Sequence, residues 1–426
     1  MRKNNFFSYS NKKLHCEKTS LEKIALSCGT PTYVYSKAAL LKPLTELQKN
    51  LKPIKHTICF AVKANSNLSV LKTLVKNGAG LDIVSGGELF RAKKVNTPAK
   101  KIVFSGVGKT QTEILDALKY SRSGIHSFNV ESIEELFLLN ETAKKINRCA
   151  AVAIRFNPDI DAQTHPYIST GLKKNKFGLN KNEVLWIAKN FKQFSHLSFN
   201  GISIHIGSQI LTLKPLENAF VKTVDMIHKL NRLLPRPLVF ADLGGGLGIT
   251  YHQEKAPDIR KYCQLILKYF HPSVANNPNV EVFLEPGRLI SGNAGALITQ
   301  VLFRKKRKSK DFIVLDAAMN DLLRPALYQS PHQILPVKKF SPGSATQKSD
   351  FVGPVCESSD CFLSDQKVPK SLKQNDFLAI CDTGAYGFTM ASQYNSRCRP
   401  AEVLVSGSSF KTIRKRESYS DLIKGE

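Results

Sequence analysis

The 426-residue sequence lacks long apolar runs and any regular cysteine pattern. No apolar stretch approaches the roughly 18 residues that a membrane span requires, and the opening MRKNNFFSYSNKKLHCEK has no continuous apolar core of signal-peptide length. The nine cysteines are scattered, odd in number and without a C-x-x-C pair, which argues against both a disulfide framework and a zinc site. These absences predict a cytoplasmic protein without a bound metal.

Acidic residues are also few, 34 against 62 lysines and arginines, which gives a formal net charge of +28. Such a balance is typical of proteins that bind nucleic acids or anionic surfaces. The excess is spread along the chain, however, with only two dense basic runs, at 304–310 and 411–416. Aromatic residues are not interleaved with these runs, so no platform for base stacking is visible. We therefore expect a solvated basic surface, and nucleic-acid binding stays an alternative.

Short apolar runs alternate with helical patterns between residues 33 and 290. Eight strand–helix repeats over this length predict a closed (β/α)8 TIM-type barrel. An open doubly wound sheet is the alternative, but the glycine clusters do not open the first helix as a dinucleotide fingerprint would. The predicted strands are HTICFAV (56–62), GLDIVS (80–85), KIVFSG (101–106), GIHSFNV (124–130), AAVAIRFN (150–157), FNGISIHIG (199–207), LVFADLGG (238–245) and VEVFLEPG (280–287).

The helical periodicity fades after residue 290. Strand-like runs such as ALITQVLF, DFIVLD, DFLAICD and AEVLVSG then follow one another, separated by turn residues. This pattern predicts a second, all-β domain over 291–426, resembling a β-barrel or sandwich. The N-terminal segment 1–32 is expected to join it.

Polar residues and glycines collect at the ends of the predicted barrel strands, where the active sites of such barrels lie. Each has a simpler explanation by itself, because a strand-end lysine is often solvated, a histidine packed and a glycine cluster only a turn. Those separate explanations do not predict that all of these residues lie together at one rim of the barrel. The residues are Lys63, Ser85 to Glu88, Ser105, Gly106, Arg155, Asn157, His205, Ser208, Gly244 to Gly246 and Glu285 to Arg288.

This combination indicates pyridoxal phosphate. The cofactor needs a lysine for a Schiff base, here Lys63, and an acid beside its pyridine nitrogen, here Glu285. Glycine-rich loops after the seventh and eighth strands are the usual phosphate site of a barrel. A pyridinium kept protonated by Glu285 is a strong electron sink, which decarboxylation requires.

A set of longer motifs, spread from about residue 21 to 422, resembles the diaminopimelate decarboxylase family. The resemblance implies a fold type III pyridoxal-phosphate enzyme with a cofactor-binding barrel, a β-domain and a homodimer that shares its active sites. The motifs are FAVKANSN, DIVSGGEL, FNVES, RFNP, THPYISTG, KFGL, HIGSQI, DLGGGLGI, EPGR, DAAMNDLLRPALY, GPVCESSD and GAYGFTMASQYNSRCRPAEVLV.

The resemblance also implies roles for individual residues. Lys63 would hold the cofactor covalently, and Cys356 would be the proton donor; Cys356 and Glu357 would come from the partner subunit. The simpler reading of Cys356 is a buried free cysteine. The other implied cofactor-binding residues are His205, Ser208, Gly246, Glu285, Gly287, Arg288 and Tyr386, and the implied substrate-binding residues are Arg288, Arg324, Tyr328, Glu357 and Tyr386.

The implied reaction converts meso-2,6-diaminopimelate into L-lysine and CO2, the last step of lysine biosynthesis. Ornithine, arginine and carboxynorspermidine decarboxylases share the lysine, histidine and EPGR elements and are the alternatives, although CESSD and NSRCRPAEVLV match the diaminopimelate enzymes better. A racemase is disfavoured, because alanine racemases resemble one another in using arginine where Glu285 stands. Two features depart from the family, Ala317 in place of its common glycine and the strongly basic surface.

Overall fold

The computed structural model describes residues 6–162, 171 and 175–426. The chain divides into two compact units. The first, which we call the β unit, comprises Met1–Lys42, Thr250–Glu254 and Ile290–Glu426, and the second, the barrel unit, comprises Pro43–Ile249 and Lys255–Leu289.

The described residues form twenty β-strands. They are β1 (Phe7–Ser10), β2 (Lys13–Cys16), β3 (Thr19–Ser20), β4 (Thr32–Ser36), β5 (His56–Ala61), β6 (Gly80–Ile83), β7 (Ile102–Phe104), β8 (Ser127–Val130), β9 (Ala150–Arg155), β10 (Leu197–Ser203), β11 (Phe240–Asp242), β12 (Glu281–Leu284), β13 (Gly295–Lys305), β14 (Asp311–Leu315), β15 (Ile334–Pro336), β16 (Thr346–Val352), β17 (Cys361–Pro369), β18 (Phe377–Cys381), β19 (Ala401–Ser406) and β20 (Ser409–Arg414).

Twelve α-helices lie between the strands of the described chain. They are α1 (Leu21–Cys28), α2 (Lys37–Asn50), α3 (Leu68–Lys76), α4 (Gly86–Lys94), α5 (Gln111–Leu118), α6 (Ile133–Lys145), α7 (Lys181–Lys189), α8 (Lys214–Leu233), α9 (Ile259–Phe270), α10 (Arg288–Ser291), α11 (Arg324–Tyr328) and α12 (Tyr419–Leu422). None of the helices in these ranges is long and apolar enough to cross a bilayer.

The barrel unit is built on a closed barrel of eight parallel strands, β5 to β12, in chain order around the ring. One helix of the series α3 to α9 connects each strand to the next. These helices bury one face, as α9 does with Tyr262, Cys263, Ile266 and Phe270 at spacings of one to four residues. The predicted (β/α)8 barrel is confirmed.

Several barrel strands end earlier than the apolar runs that predicted them. The last ladder residue of β5 is Ala61, and that of β12 is Leu284. Beyond other strands, carboxylates accept the backbone N–H groups that a longer ladder would have used: Glu88 accepts from Val84 at 2.8 Å, and Glu131 accepts from Gly106 at 2.9 Å. The rim loops therefore satisfy their backbone through side chains, because a buried N–H group needs a partner.

The inside of the barrel is filled by an apolar cluster of Cys59, Val103, Ala153, Phe240 and Phe283. His126, which directly precedes β8, packs against two of these rings. Its ring centroid lies 4.2 Å from that of Phe283, stacked, and 4.7 Å from that of Phe240, edge-on. Its Nε2 atom is buried without a hydrogen-bond partner among the described residues.

We expect this histidine to make the fold sensitive to acid. Burial lowers the pKa of His126 to about 4, against an opposing effect of Glu281, whereas an unfolded histidine titrates near 6.5. The unfolded chain then binds the proton first, so stability is complete above about pH 6.5 and is lost as the pH falls from there through about 4. Between pH 7.5 and 4.5 the loss is about 2 kcal/mol.

His126→Leu should remove this part of the acid sensitivity. Urea denaturation at the two pH values measures it: the gap in the free energy of unfolding should narrow by about 2 kcal/mol relative to the parent. His252→Leu, at an exposed position, is the control and should behave as the parent does. An equal gap in the parent and in His126→Leu would contradict this account.

The β unit contains two sheets. β1, β2 and β3 form an antiparallel sheet of three strands, and a sheet of nine strands runs in the order β17-β16-β14-β13-β4-β19-β20, with β18 also pairing β13 and β15. A core that includes Leu14, Leu21, Val34 and Ile298 fills this unit. A second domain made mostly of sheet is thereby confirmed. The described part of segment 1–32 lies in this unit, and so do residues 33–42, where β4 pairs with β13 and β19.

Candidate active site

Lys63 lies immediately after β5, in a short 3-10 turn over Val62–Ala64. Its Nζ atom is 2.5 Å from Oδ2 of Asp82, which lies on the adjacent strand opposite Ala61. The Asp82 side chain is fully buried, while the lysine side chain is 36% exposed. Lys63 is therefore held at the barrel rim by a buried partner and is not an ordinary solvated lysine.

Two carboxyl groups near Lys63 have pKa values raised to near neutral pH. Burial and the charge of Glu285 raise the pKa of Asp82 to about 7, although Lys63 opposes the shift. Burial also raises the pKa of Glu88 to about 7, again against the effect of Lys63. The amine thus stands among groups that can accept its proton, which a lysine must lose before it acts as a nucleophile.

Glu285 follows β12 and belongs to a fully hydrogen-bonded buried cluster. Its Oε1 atom accepts from Ser105 Oγ at 3.1 Å and from Asn129 Nδ2 at 3.2 Å. The same Asn129 amide donates to Asp242 Oδ2 at 3.0 Å. Asp242, the last residue of β11, also accepts from the backbone N–H of Gly244 at 2.9 Å.

The carboxyl groups of Glu285 and Asp242 also hydrogen-bond to each other. Because a carboxylate can only accept, one of the two must carry a hydrogen. Burial together with the charge of Asp242 raises the pKa of Glu285 above its ordinary range, and burial likewise raises the pKa of Asp242. The hydrogen-bonded pair therefore shares one proton, as closely spaced carboxyl groups do when both cannot ionise.

His205 supplies a neutral imidazole beside this rim. Its Nδ1 atom accepts a hydrogen bond from the backbone N–H of Gly245 at 3.2 Å, so the hydrogen of the neutral ring is on Nε2. Burial and the positive charges of Arg155 and Lys63 hold the pKa of His205 well below its usual range. The ring is therefore uncharged and offers an aromatic face.

The glycine-rich loop after β11 packs too closely for side chains. A Cβ on Gly246 would stand 2.3 Å from the carbonyl oxygen of Gly207, and one on Gly245 would stand 2.2 Å from that of Glu285. Gly246 also adopts a φ of +101°, which glycine tolerates and other residues rarely do. The loop brings bare backbone to the rim, as a phosphate-binding turn requires.

Ser208 and Arg288 meet at the same rim. The Arg288 guanidinium donates to Ser208 Oγ from Nε at 3.3 Å and from Nη2 at 3.1 Å. Gly287 sits tightly beside them, because a Cβ there would lie 2.9 Å from the Cβ of Ala64. The barrel unit thus brings together all of its predicted cofactor residues. Of the motifs quoted above, THPYISTG lies outside the described residues except for Gly171.

Sequence reasoning missed three polar residues of this site, Asp82, Asn129 and Asp242. Each is buried and lies within a barrel strand. A signal was present, since each is a large polar residue in a short, mostly buried strand, GLDI, SFNV or FAD. Strand-end inspection overlooked them because they lie within the strands, one or two positions before the loops begin.

The β unit holds the remaining predicted residues. Arg324 opens α11 and is buried, and Tyr328 closes the same helix, half-buried. Tyr386 is also half-buried, with a φ of 55°, a left-handed conformation that often marks functional turns.

Cys356 and Glu357 are exposed, on a loop that Asp360 braces by accepting the backbone N–H of Val355 at 2.8 Å. The Cys356 backbone N–H donates to Asn395 Oδ1 at 3.3 Å, and Glu357 accepts from the Tyr394 hydroxyl. A buried structural cysteine is therefore excluded as the explanation of Cys356.

These residues fit pyridoxal phosphate. Its aldehyde requires an anchored amine, and its ring nitrogen requires an acid such as the carboxyl pair with one shared proton. Its ring face can pack on a neutral imidazole, and its phosphate can enter a glycine turn that a Cβ would fill. Within 6–162, 171 and 175–426 we find no cluster of three or more His, Cys, Asp or Glu side chains arranged to hold a metal ion.

Comparisons with known proteins agree with this chemistry. The family model "Pyridoxal-dependent decarboxylase, pyridoxal binding domain" matches residues 37–292. The diaminopimelate decarboxylase of Aquifex aeolicus is 43% identical over 422 residues, covering 99% of this chain and 97% of that protein.

Solved structures are similar over the same length. The Helicobacter pylori diaminopimelate decarboxylase in complex with L-lysine has 42% identity and a TM-score of 0.88, covering 95% of this chain and 98% of that one. The M. jannaschii diaminopimelate decarboxylase, also in complex with L-lysine, has 36% identity and a TM-score of 0.91, covering 99% and 98%.

Proposed function

The chain belongs to the family of pyridoxal-dependent decarboxylases that includes the diaminopimelate decarboxylases, and from this premise we propose that it converts meso-2,6-diaminopimelate into L-lysine and CO2. Its cofactor is pyridoxal phosphate. The observation that carries the proposal is the buried, directly interacting pair of carboxyl groups, Glu285 and Asp242, at the rim where Lys63 emerges. A racemase of this fold would not need a strong electron sink there.

Each residue of the barrel site has a separate role toward the cofactor in this proposal. Lys63 would hold it covalently, and Asp82 would keep the amine at the strand end and take up its proton. Glu285 keeps a proton available to a ring nitrogen through its bond with Asp242. His205 would cover the ring face, while Gly246, Ser208, Gly287 and Arg288 would receive the phosphate. When bound, pyridoxal phosphate supplies the electron sink that stabilises the negative charge left after CO2 departs.

Residues of the β unit and Arg288 recognise the substrate in this proposal. Diaminopimelate has an amino-acid group at each end, so recognition needs arginines for its carboxylates and an acid for the distal ammonium. Arg288 and Arg324 bind carboxylates with Tyr328 and Tyr386 beside them, and Glu357 binds the ammonium. Cys356 Sγ delivers a proton to the carbon that has lost CO2.

A substrate panel tests the proposal. Purified holoenzyme is given meso-diaminopimelate, L-ornithine, L-arginine and carboxynorspermidine in turn, and CO2 release is measured. We expect kcat/KM for diaminopimelate to exceed the others by at least about a hundredfold, because a substrate without the distal carboxylate cannot make the charged hydrogen bond that a buried arginine offers it. A preference for another amine would refute the assignment, and so would proton exchange at Cα of alanine without CO2 release.

We also propose that the enzyme is a cytoplasmic homodimer with shared active sites. The exposure of Cys356 and Glu357 supports a position at a subunit interface, and all nine cysteines are free, as expected in a reducing compartment. The wide distribution of the basic charge gives no reason to propose a nucleic-acid partner.

Mixing two inactive variants tests whether the two subunits of a dimer contribute residues to the same active site. If Cys356 of one subunit serves Lys63 of the other, then co-refolded Lys63→Ala and Cys356→Ala chains should regain about a quarter of the parent activity, because half of randomly assorted dimers carry one intact site. Each variant refolded alone is the control. Activity no higher than that of the separate variants would mean that each chain carries a complete site.

A further inference from the structure

Arg324 is held by three groups of the β unit. Its guanidinium carbon lies 4.3 Å from the ring centroid of Tyr251. Its Nη2 atom donates to Ser330 Oγ at 2.9 Å, and its Nη1 atom is 2.8 Å from Nε2 of His332. Stacking together with two in-plane contacts defines the plane of the guanidinium.

The hydrogen-bond pattern of His332 determines which of its nitrogens carries the hydrogen. The residue is 1% exposed, and its Nδ1 atom is 2.8 Å from the carbonyl oxygen of Cys381. A carbonyl only accepts, so Nδ1 carries the hydrogen and Nε2 presents a lone pair. That lone pair faces the Arg324 N–H group. A doubly protonated ring would instead set two donors against each other.

The local fold explains why the ring is there. β15 pairs with β18 in the register Ile334↔Ile380, and the backbone N–H of Cys381 donates to the carbonyl of Gln333 at 2.8 Å. This pairing places the residue before Gln333 beside the last carbonyl of β18. Tyr251 closes the other side, edge-on to His332 with ring centroids 5.2 Å apart.

We propose that His332 is a positioning residue for substrate binding, with its Nε2 lone pair orienting the Arg324 guanidinium toward a substrate carboxylate. The inference rests on the proposed function, in which Arg324 binds that carboxylate. A neutral imidazole suits the task because it holds a guanidinium without cancelling its charge, as a carboxylate in its place would do. His332 itself does not touch the substrate.

Two substitutions separate positioning from a structural role. In His332→Gln the side-chain oxygen can reach the Nε2 position and accept from Arg324, but the bond to the Cys381 carbonyl is lost. In His332→Asn the amide can reach the Nδ1 position and keep that bond, but it offers Arg324 no acceptor. A positioning role predicts that glutamine preserves substrate binding better than asparagine, and a structural role predicts the reverse.

The measurement is KM and kcat for meso-diaminopimelate with the holoenzyme, together with thermal midpoints. We expect His332→Asn to raise KM about tenfold with kcat within about twofold, and His332→Gln to stay within about threefold of the parent KM. Adding His332→Asn to Arg324→Gln should raise KM no further, because the oriented group is already gone. If only His332→Gln folds, a KM raised more than about tenfold in that variant overturns the proposal. If only His332→Asn folds, an unchanged KM overturns it.

The single variant Arg324→Gln tells a failure of the His332 role apart from a failure of the substrate-binding role of Arg324. If Arg324→Gln raises KM while the two His332 variants behave alike, only the positioning role is wrong. If Arg324→Gln leaves KM unchanged, the assignment of Arg324 to the substrate carboxylate fails, and the role of His332 fails with it. An unmodified enzyme that releases no CO2 from diaminopimelate would refute the proposed function itself.

Discussion

Lys63→Ala is expected to eliminate both decarboxylation and the long-wavelength absorbance of the protein-bound cofactor. The Lys63 amine can hold an aldehyde covalently, and it lies at the end of β5, 2.5 Å from Asp82 Oδ2. Turnover should fall by at least about a thousandfold, since the covalent route is lost and not merely weakened.

Lys63→Arg is the matched control for charge. A guanidinium can keep an ion pair with Asp82 but is too basic to act as an amine nucleophile. It should therefore be as inactive as Lys63→Ala while preserving the buried pair. Lys72→Ala, at an exposed position on α3, should leave activity and spectrum unchanged. A Lys63→Ala protein that retains both the absorbance band and turnover would mean that another residue anchors the cofactor.

Removing the ionisable carboxyl group at residue 285 is expected to separate cofactor binding from catalysis. Glu285→Gln keeps the size of the side chain and can still accept from Ser105 and Asn129, but it cannot exchange a proton with Asp242. We expect the cofactor to remain bound, as its absorbance will show, while kcat falls by about a hundredfold or more. The loss arises because an unprotonated pyridine is a weak electron sink.

Two further variants accompany Glu285→Gln, one as a control and one as a test of the second carboxyl group. Glu281→Gln changes a carboxyl group at the start of the same strand, where Glu281 accepts from Thr57, and should alter kcat by less than about twofold because it cannot reach the shared proton. Asp242→Asn removes the other half of the carboxyl pair and should lower kcat in the same direction as Glu285→Gln. If Glu285→Gln decarboxylates at the parent rate, the shared proton has no role in the reaction.

Much of the barrel could be predicted from local patterns. Apolar runs marked all eight strands, because a strand buried on both faces must be almost wholly apolar. The strand ends also located Lys63, His205, Gly246 and Glu285, since parallel strands in a barrel deliver their carboxyl ends to one rim. Strand ends were less accurate, because carboxylates such as Glu88 and Glu131 accept backbone hydrogen bonds that only the folded chain reveals.

The partners of these residues could not be predicted in the same way. Asp82 is 19 positions from Lys63, whereas Asn129 is 113 positions from Asp242 and 156 from Glu285. No local pattern relates residues so far apart. Their proximity follows from the closure of the barrel, which places β8 opposite β11 and β12.

The sequence by itself determined the kind of chemistry, because a lysine, a histidine, an acid and glycine turns at strand ends have few other joint uses. Only the tertiary structure decided how that chemistry is tuned. Burial turns Glu285 and Asp242 into a pair that shares one proton, the Gly245 backbone and nearby cations keep His205 neutral, and the Cys381 carbonyl makes His332 an acceptor for Arg324. Protonation states depend on the dielectric surroundings and on partners in three dimensions, and a linear sequence contains neither explicitly.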